Sequence, residues 1–272
     1  MRRLIIRPGA IGDTILSFPA LEHLRAEYTE IWVRSDIVPL IDFADRVRGI
    51  PSTGIDLVGL PGIEPPPEVL ATLRSFDEVV TWYGANRPEF RTDMEAIARS
   101  ARFLPALPAS GAGKHAADFF LEQVGGAGPA FPRIRVAAPV VEQRGPVVLH
   151  PFSGSARKNW PLAQFEDLGN HLSALGYDVQ WAARPDWVRS ENLRDLAEWL
   201  AGACCFVGND SGISHLAAAA GAPVVALFGP TDPAIWAPRG PVVRLIRNEA
   251  IESVAVEAVV AAVESLAVPP VQ

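Results

Sequence analysis

The sequence is poor in cysteine, and this limits the kinds of protein it can encode. Its only two cysteines, Cys204 and Cys205, are adjacent in a chain of 272 residues. A disulfide between neighbouring residues is strained, and two thiols do not complete a zinc site. A disulfide scaffold and a cysteine-based zinc cluster are therefore excluded, and the sequence indicates a reducing, cytoplasmic environment.

Basic tracts and long apolar runs are missing as well. The formal net charge is −7, with a pI of about 5.3, and no polybasic segment occurs, which argues against nucleic acid as a partner. The apolar run near the amino terminus stops at Arg7 and does not resemble a signal peptide. The longest uncharged stretch, residues 211–231, is interrupted by glycines and prolines. We therefore expect at most peripheral membrane contact.

Apolar residues are abundant, at 49% of the chain against 20% charged residues, which is enough for a large core. In both halves, short apolar runs alternate with segments of helical periodicity. This alternation predicts the α/β class, with parallel sheets covered by helices on both faces. We predict two doubly wound, Rossmann-like domains, residues 1–140 and 141–272, which face a ligand-binding cleft.

The periodicity also predicts individual elements. In the first half, the predicted strands are 4–7, 31–34 and 78–82, and the predicted helices are 13–28, 37–44, 89–101 and 116–124, with a loop and a brief strand at 49–67. In the second half, the predicted strands are 147–150, 178–182, 204–207, 224–228 and 242–246, and the predicted helices are 162–175, 193–200, 213–220 and 251–266.

The first candidate site is the turn at residues 8–13, between the first predicted strand and helix. Gly9 and Gly12 allow the backbone to turn tightly and to approach a ligand. Asp13 either caps the helix or acts as a general base, and spacing alone favours the cap. The segment lacks the G-x-G-x-x-G spacing of dinucleotide-binding proteins, which argues against a nicotinamide dehydrogenase.

The second candidate is the loop at residues 150–161, which leaves a predicted strand and enters a helix at Pro161. Its small residues beside Arg157 and Lys158 suit a phosphate, although an ordinary solvated loop fits the pattern equally well. Lysine is rare in this chain, since the only other one is Lys114. Lys158 would therefore supply a compact point charge to a phosphate.

The third candidate is the turn at residues 208–215, which follows an apolar strand and opens an alanine-rich helix. Helix amides with Ser211 and Gly212 would form an anion site. Asp210 would repel phosphate, so we expect it to hold sugar hydroxyls or to orient the amides and Lys158. His215 faces either the core or the ligand, and spacing alone favours a buried histidine.

A fourth segment, residues 228–233, also follows a buried strand, and we favour a plain turn there. No D-x-D pair and no His/Cys ligand spacing is present. We therefore expect no metal and no cofactor. A bound diphosphate would then be neutralised by Lys158, by Arg157 and by helix amides.

Taken together, these motifs resemble glycosyltransferase family 9, the ADP-heptose:lipopolysaccharide heptosyltransferases and their relatives. The resemblance rests on residues 9–13, 158–161, 209–215 and 227–231, with a weaker likeness at 114–118. It implies a GT-B architecture, with helix 251–266 packing back toward the first domain. It also implies an inverting, metal-independent transfer of a sugar, heptose first of all, from an ADP-sugar to a saccharide hydroxyl, as in lipopolysaccharide core synthesis.

The resemblance further implies roles for single residues. Asp13 matches the base that takes the proton of the acceptor hydroxyl, and Lys158 matches the lysine that contacts the donor phosphates. Either Asp186 or Glu191 would bind the nucleoside. The other donor-binding positions are Gly12, Ser153, Gly154, Asp210, Ser211, Gly212 and His215.

The acceptors of this family are lipid-linked, phosphorylated or acidic saccharides, which would place the enzyme at the inner face of the cytoplasmic membrane. Four arginines of the first domain are candidates to bind such an acceptor, against the default of a solvated arginine face: Arg46, Arg48, Arg87 and Arg91. Two other functions stay open, a sugar-nucleotide epimerase of the same fold and a non-catalytic relative that binds a nucleotide or a saccharide.

Overall fold

The computed structural model describes residues 1–109, 113–136, 145–184, 187–188 and 190–267. The chain folds into two compact units. The first consists of Met1–Ala10, Ser17–Ala112 and Ala116–Ala130, and the second of Ile11–Leu16, Gly113–His115 and Phe131–Gln272. The second unit thus takes in two short segments from the first half of the chain. The predicted domain boundary at 140/141 lies outside the described residues and stays a prediction.

The first unit is built on a five-stranded parallel sheet. Its strands are β1 (Arg2–Ile6), β2 (Tyr28–Val33), β3 (Arg46–Gly49), β4 (Glu78–Thr81) and β5 (Ala101–Phe103), in the spatial order β3-β2-β1-β4-β5. The helices of this half of the chain are α1 (Ile11–Leu16), which belongs to the second unit, α2 (Phe18–His23), α3 (Pro67–Arg74), α4 (Pro88–Ile97) and α5 (Ala116–Gln123).

The central strand β1 is apolar on both faces at its carboxyl end, as is typical of a strand between two helical layers. Leu4, Ile5 and Ile6 of β1 are all fully buried. Leu4 and Ile6 pack into a core that includes Trp32 from β2 and Phe90 from α4. This core holds the carboxyl ends of the strands in place.

The second unit contains a second five-stranded parallel sheet and a separate antiparallel pair. Its strands are β6 (Val147–His150), β7 (Val179–Trp181), β8 (Ala183–Arg184), β9 (Trp187–Val188), β10 (Cys205–Asn209), β11 (Val224–Phe228) and β12 (Val243–Arg247), and the large sheet has the order β12-β11-β10-β6-β7. The helices are α6 (Leu162–Ala174), α7 (Leu193–Ala201), α8 (Gly212–Ala220), α9 (Pro233–Trp236) and α10 (Val256–Leu266).

The order of the second sheet changes direction between β6 and β10. The chain leaves β6 toward β7 on one side and leaves β10 toward β11 on the other. Such a switch point opens a crevice at the carboxyl ends of the two strands, where ligands of doubly wound sheets bind. Two candidate segments follow these strands directly, residues 150–161 after β6 and residues 208–215 after β10.

The α/β class and the parallel sheets are confirmed, and in the second half most predicted elements agree within two residues. The predicted helix at 251–266 is shorter than expected, because Ile251–Ser253 form a 3-10 helix and α10 begins at Val256. Val259 and Val263 of α10 enter the core of the second unit beside α6. Its packing toward the first domain stays a prediction.

Several predictions in the first half are wrong. The predicted helix at 13–28 is two short helices that meet at Ser17, because Pro19 in the first turn of α2 cannot continue a preceding helix. The predicted helix at 37–44 is only a 3-10 turn at Val38–Leu40. In place of the brief strand predicted within 49–67, residues 50–66 contain two 3-10 helices.

Three elements of the first unit were missed. β3 and β5 are edge strands whose residues are at least partly exposed, so they lack the apolar run that marks a buried strand. The helix α3 begins in a proline-rich stretch that resembles a loop, although proline is favoured in a first helical turn.

No helix within the described ranges has both the length and the apolar character needed to cross a membrane.

Candidate functional site

Two helices of the second unit meet at a close contact between glycines. A Cβ atom added to Gly12 in α1 would lie 2.7 Å from the Cδ2 atom of His215 in α8. A Cβ atom added to Gly212 would lie 2.8 Å from the Cβ atom of Ile11. Side chains at either glycine would therefore force the helices apart. This contact brings the helix that carries Asp13, which is partly exposed, next to the amino end of α8.

Lys158 and Asp210 form an ion pair at the switch point between β6 and β10. The Nζ atom of Lys158 donates to the Oδ2 atom of Asp210 over 2.7 Å. The carboxylate is nearly buried, at 7% exposure, whereas the lysine side chain keeps 34% of its surface in solvent. Asp210 thus fixes the position of an ammonium group that is still partly exposed to solvent, which is one of the two roles that the sequence analysis left open for it.

Asn209 ties the loop after β6 to the end of β10. This asparagine is fully buried. Its Oδ1 atom accepts from the backbone N of Trp160 over 3.0 Å, and its Nδ2 atom donates to the carbonyl of Pro151 over 2.7 Å. One side chain therefore holds both ends of the loop that carries Lys158. Its position directly after a buried strand was the available signal, but the sequence analysis did not assign Asn209 a role.

The amino end of α8 is capped by the side chain of the serine that precedes it. Ser211 is the N-cap residue, and its Oγ atom accepts from the backbone N of Ser214 over 3.3 Å. The Ser214 hydroxyl in turn donates to the carbonyl of Asn209 over 2.5 Å. The first amides of an α-helix have no partner within the helix, so those of Gly212 and Ile213 are the groups that an anion would meet here.

His215 lies in the interior, at 5% exposure, as spacing alone favoured. Burial lowers the pKa of His215 to about 4, although the nearby Asp210 carboxylate acts in the opposite direction. His115 and Lys158 lower the pKa further. The ring is therefore neutral at pH 7. Its Nδ1 atom is buried and has no hydrogen-bond partner among the described residues.

The small residues of the loop after β6 differ in their environment. The Ser153 hydroxyl lies 2.7 Å from the Oδ1 atom of Asn159 and 2.9 Å from the carbonyl of Ser155, so it stabilises its own loop. Gly154 is exposed, and an added Cβ atom would meet nothing within 4 Å. Arg157 is also exposed. Space beside Gly154 is thus open to solvent.

Three further positions from the sequence analysis remain, Asp186, Glu191 and the segment 228–233. Asp186 lies outside the described residues, and Glu191 is exposed just before Asn192, which caps α7. In the segment 228–233, Asp232 caps the short helix α9, with its Oδ1 atom 3.0 Å from the backbone N of Ala234, which agrees with a plain turn.

The four arginines proposed for the acceptor are not brought together. Arg46 and Arg48 lie on the edge strand β3, where Arg48 donates to the carbonyl of Ser52 over 2.6 Å. Arg87 precedes α4 and donates to the carbonyl of Gly59 over 3.4 Å. Arg91 packs over the ring of Phe103, which belongs to the opposite edge strand, β5.

No cluster of three or more His, Cys, Asp or Glu side chains that could hold a metal ion occurs in the part of the chain that the structure describes. What the site offers instead is an ammonium group, helix amides, and a carboxylate on the adjoining helix. Such a set can bind a phosphate and can accept a proton.

Comparison with known proteins relates the sequence to one family. The family model for glycosyltransferase family 9 (heptosyltransferase) matches residues 189–260, which include α8 and its amino-terminal turn. Lipooligosaccharide heptosyltransferase 2 of Haemophilus influenzae is 30% identical over an alignment of 120 positions, and the match covers 35% of this chain and 35% of that protein. The aligned region is thus about a third of this relative. The predicted resemblance is confirmed.

Solved structures agree in fold over a longer range. The structure of the E. coli ADP-heptose lipopolysaccharide heptosyltransferase II has a TM-score of 0.73 at 16% identity and covers 98% of both chains. The iron-containing dodecameric glycosyltransferase TibC of enterotoxigenic E. coli has a TM-score of 0.58 at 18% identity and covers 89% of this chain and 61% of that one. These likenesses confirm the predicted GT-B fold.

Proposed function

From the premise that residues 189–260 match glycosyltransferase family 9, we propose that the chain transfers heptose from an ADP-sugar to a saccharide hydroxyl in lipopolysaccharide core synthesis. One observation carries this proposal. A buried carboxylate, Asp210, holds Lys158 at the amino end of α8, and α1 with Asp13 packs against the same end. A diphosphate bound by Lys158 and an acceptor hydroxyl bound by Asp13 would therefore both lie at the amino end of α8.

The donor side of the proposal rests on charge. An ammonium group has three donors, and Asp210 uses one of them, so the others can reach phosphate oxygens. The amides of Gly212 and Ile213 add partial positive charge. Because Asp210 cancels the formal charge of Lys158, these amides must carry part of the neutralisation. For the nucleoside, Glu191 and Asp186 remain the candidates.

The chemical step is a single displacement with inversion. Asp13 takes the proton of the acceptor hydroxyl, the acceptor oxygen forms a bond to the anomeric carbon, and the bond from that carbon to the diphosphate oxygen breaks. Negative charge grows on the departing ADP. Lys158 and the helix amides interact more strongly with the leaving group than with the bound donor, which lowers the barrier.

We propose that the transfer needs no metal. Hydrogen bonds from Lys158 and the helix amides would stabilise the departing diphosphate in place of a divalent ion. Turnover should survive excess EDTA and chelators of iron, measured as ADP release. Loss of turnover on chelation, with recovery on adding back iron or magnesium, would contradict this part of the proposal.

The function is tested by incubating the protein with ADP-heptose in the presence and absence of a panel of phosphorylated and acidic saccharides. We expect ADP release only with an acceptor, and NMR of the product should show the inverted anomeric configuration. A change of the sugar nucleotide without any acceptor would identify an epimerase instead. Binding of ADP without transfer to any acceptor would identify a non-catalytic relative.

The specificity and location are proposals of the same kind. ADP should raise the melting temperature more than UDP or GDP do, because the donor is proposed to carry adenine. A lipid-linked acceptor would place the protein at the cytoplasmic face of the inner membrane. Transfer to a lipid-linked saccharide that exceeds transfer to its soluble counterpart would support that location.

A further inference from the structure

A second exposed face of the second unit lies at the far end of α8 from Asp210. Residues 131–135 run along the carboxyl-terminal turns of this helix, where the backbone N of Ile134 donates to the carbonyl of Ala219 over 2.9 Å. Their side chains alternate. Pro132 and Ile134 are buried, whereas Phe131, Arg133 and Arg135 are exposed. The outward side of this segment is therefore one aromatic ring followed by two guanidinium groups.

A loop between α9 and β12 completes this face. The guanidinium carbon of Arg239 lies 5.6 Å from the ring centroid of Phe131. Gly240 fits against α8 so closely that an added Cβ atom would collide with the carbonyl of Ala218. Nearby in this loop, Val242 is 43% exposed. We call Phe131, Arg133, Arg135, Arg239 and Val242 the basic–aromatic face.

The basic–aromatic face borders a cavity of about 510 Å³ between residues 131–135, the end of α8 and the loop at 240–241. None of the described residues that line this cavity is acidic, and two are arginines. The face therefore groups three arginines on a chain whose net charge is −7. It also includes an aromatic side chain that keeps 51% of its surface exposed.

These features match the chemistry of a membrane interface. An aromatic ring is favoured at the boundary between head groups and acyl chains, and arginine pairs with phosphate through two parallel hydrogen bonds. Anionic lipids attract such groups from solution within a Debye length. A water-soluble anion would be held by the arginines but would leave Phe131 and Val242 in water.

We propose that the basic–aromatic face docks the protein on a bilayer of anionic phospholipids, with Phe131 and Val242 entering the interface and the arginines contacting lipid phosphates. The face is separate from the donor site, because the nine residues of α8 span about 13 Å. The proposal therefore does not rest on sugar transfer, and either can fail while the other holds.

The test is co-sedimentation of the full chain with vesicles of phosphatidylglycerol and phosphatidylcholine in equal amounts, against vesicles of phosphatidylcholine alone. We expect binding to the anionic vesicles that weakens as salt is raised. The Arg133→Gln change should lower the partition coefficient about fivefold. The Phe131→Ser change should lower it about tenfold, because burial of the ring is lost.

Matched controls come from exposed positions elsewhere. Arg25→Gln removes the charge of an exposed arginine in the first unit, and Leu175→Ser removes an apolar side chain that is 45% exposed. Both should leave vesicle binding unchanged, and thermal melting should show that all variants are folded. Equal binding to both vesicle types, or equal loss in the controls, would overturn the proposal. So would displacement from the vesicles by millimolar inorganic phosphate at constant ionic strength.

Discussion

The two parallel sheets differ in what stands at their carboxyl ends. At the switch point of the second sheet, Lys158 pairs with Asp210, and Asn209 holds both ends of the loop that carries Lys158 through hydrogen bonds to its backbone. The arginines of the first unit are divided between its opposite edges, with Arg48 on β3 and Arg91 over Phe103 of β5. Four strand spacings separate those edges, or about 19 Å.

The two sets of residues differ in whether burial fixes the positions of their side chains. Asp210 and Asn209 are buried, and a buried polar group must be paired, so their partners are fixed in position. Arg46 is exposed, and nothing of this kind constrains an exposed side chain. The comparison therefore predicts that changes at the switch point alter donor binding and catalysis, whereas changes among the arginines have small effects.

The largest effect is expected from the change Asp13→Asn. It removes the proposed base while keeping the size of the side chain, so turnover should fall by about 10²–10⁴-fold. The affinity for ADP should stay within about twofold, since Asp13 is not proposed to touch the diphosphate. Steady-state kinetics and calorimetry measure the two quantities. A fully active variant would show that Asp13 is not the base.

The second effect concerns the loop that Asn209 holds. The Asn209→Ala change removes two hydrogen bonds and leaves the N–H of Trp160 and the carbonyl of Pro151 without their partner. The free energy of unfolding should fall by about 2–4 kcal/mol. Urea titration measures this loss, and ADP affinity should fall with it, because the loop carries Lys158.

Gln123 in the first unit is the matched control for Asn209. It too connects two segments, since its Oε1 atom accepts from the indole N–H of Trp82 over 2.8 Å and its Nε2 atom donates to the carbonyl of Pro105 over 2.9 Å. This side chain is only partly buried. Gln123→Ala should cost less stability and should leave ADP affinity unchanged. An equal loss of ADP affinity in both variants would remove the distinction between the two units.

The third effect is a dependence of stability on pH. Burial lowers the pKa of His150, at the end of β6, from 6.5 to about 4, and it lowers that of His215 likewise. Between these values the unfolded chain binds protons that the folded chain does not, so stability falls as the pH drops below 6.5. Each histidine should contribute about 2 kcal/mol of this loss between pH 7 and pH 5.

The change His150→Leu should reduce this pH dependence, and His23→Gln, at an exposed position, should not. Urea titrations at pH 7 and pH 5 give the comparison. If the His150 variant loses as much stability on acidification as the unaltered chain, the buried histidine is not the cause.

The smallest effects are expected among the four arginines. Arg46→Gln should change KM for the acceptor by less than about twofold, as is usual for an exposed charge. Arg91→Gln also removes packing over Phe103 and should have the larger effect of the two. If Arg46→Gln raises KM for the acceptor more than Arg91→Gln does, the acceptor contacts β3. The prediction of small effects among the arginines would then be wrong.

The elements that could be predicted were those with a strong local signal. β1, β6 and β11 are buried apolar runs, and the turn at 208–215 shows its helix cap directly in the sequence. The sequence analysis left two roles open for Asp210, and its pairing with Lys158 was one of them. Local sequence could not decide between the two roles, because 52 residues separate Asp210 from Lys158. The contact of Gly12 with His215 was beyond prediction, since it depends on how two distant helices approach each other.

The most direct test of the account is a calorimetric titration of ADP into the unaltered chain and into the variants Lys158→Ala and Arg157→Ala. The two cations are adjacent, but among the described residues a buried carboxylate holds Lys158 alone. Loss of the charged contact in Lys158→Ala should weaken ADP binding about 10–100-fold, and Arg157→Ala should stay within about twofold. ADP binding that is unchanged in Lys158→Ala would contradict the assignment of the switch point as the donor site.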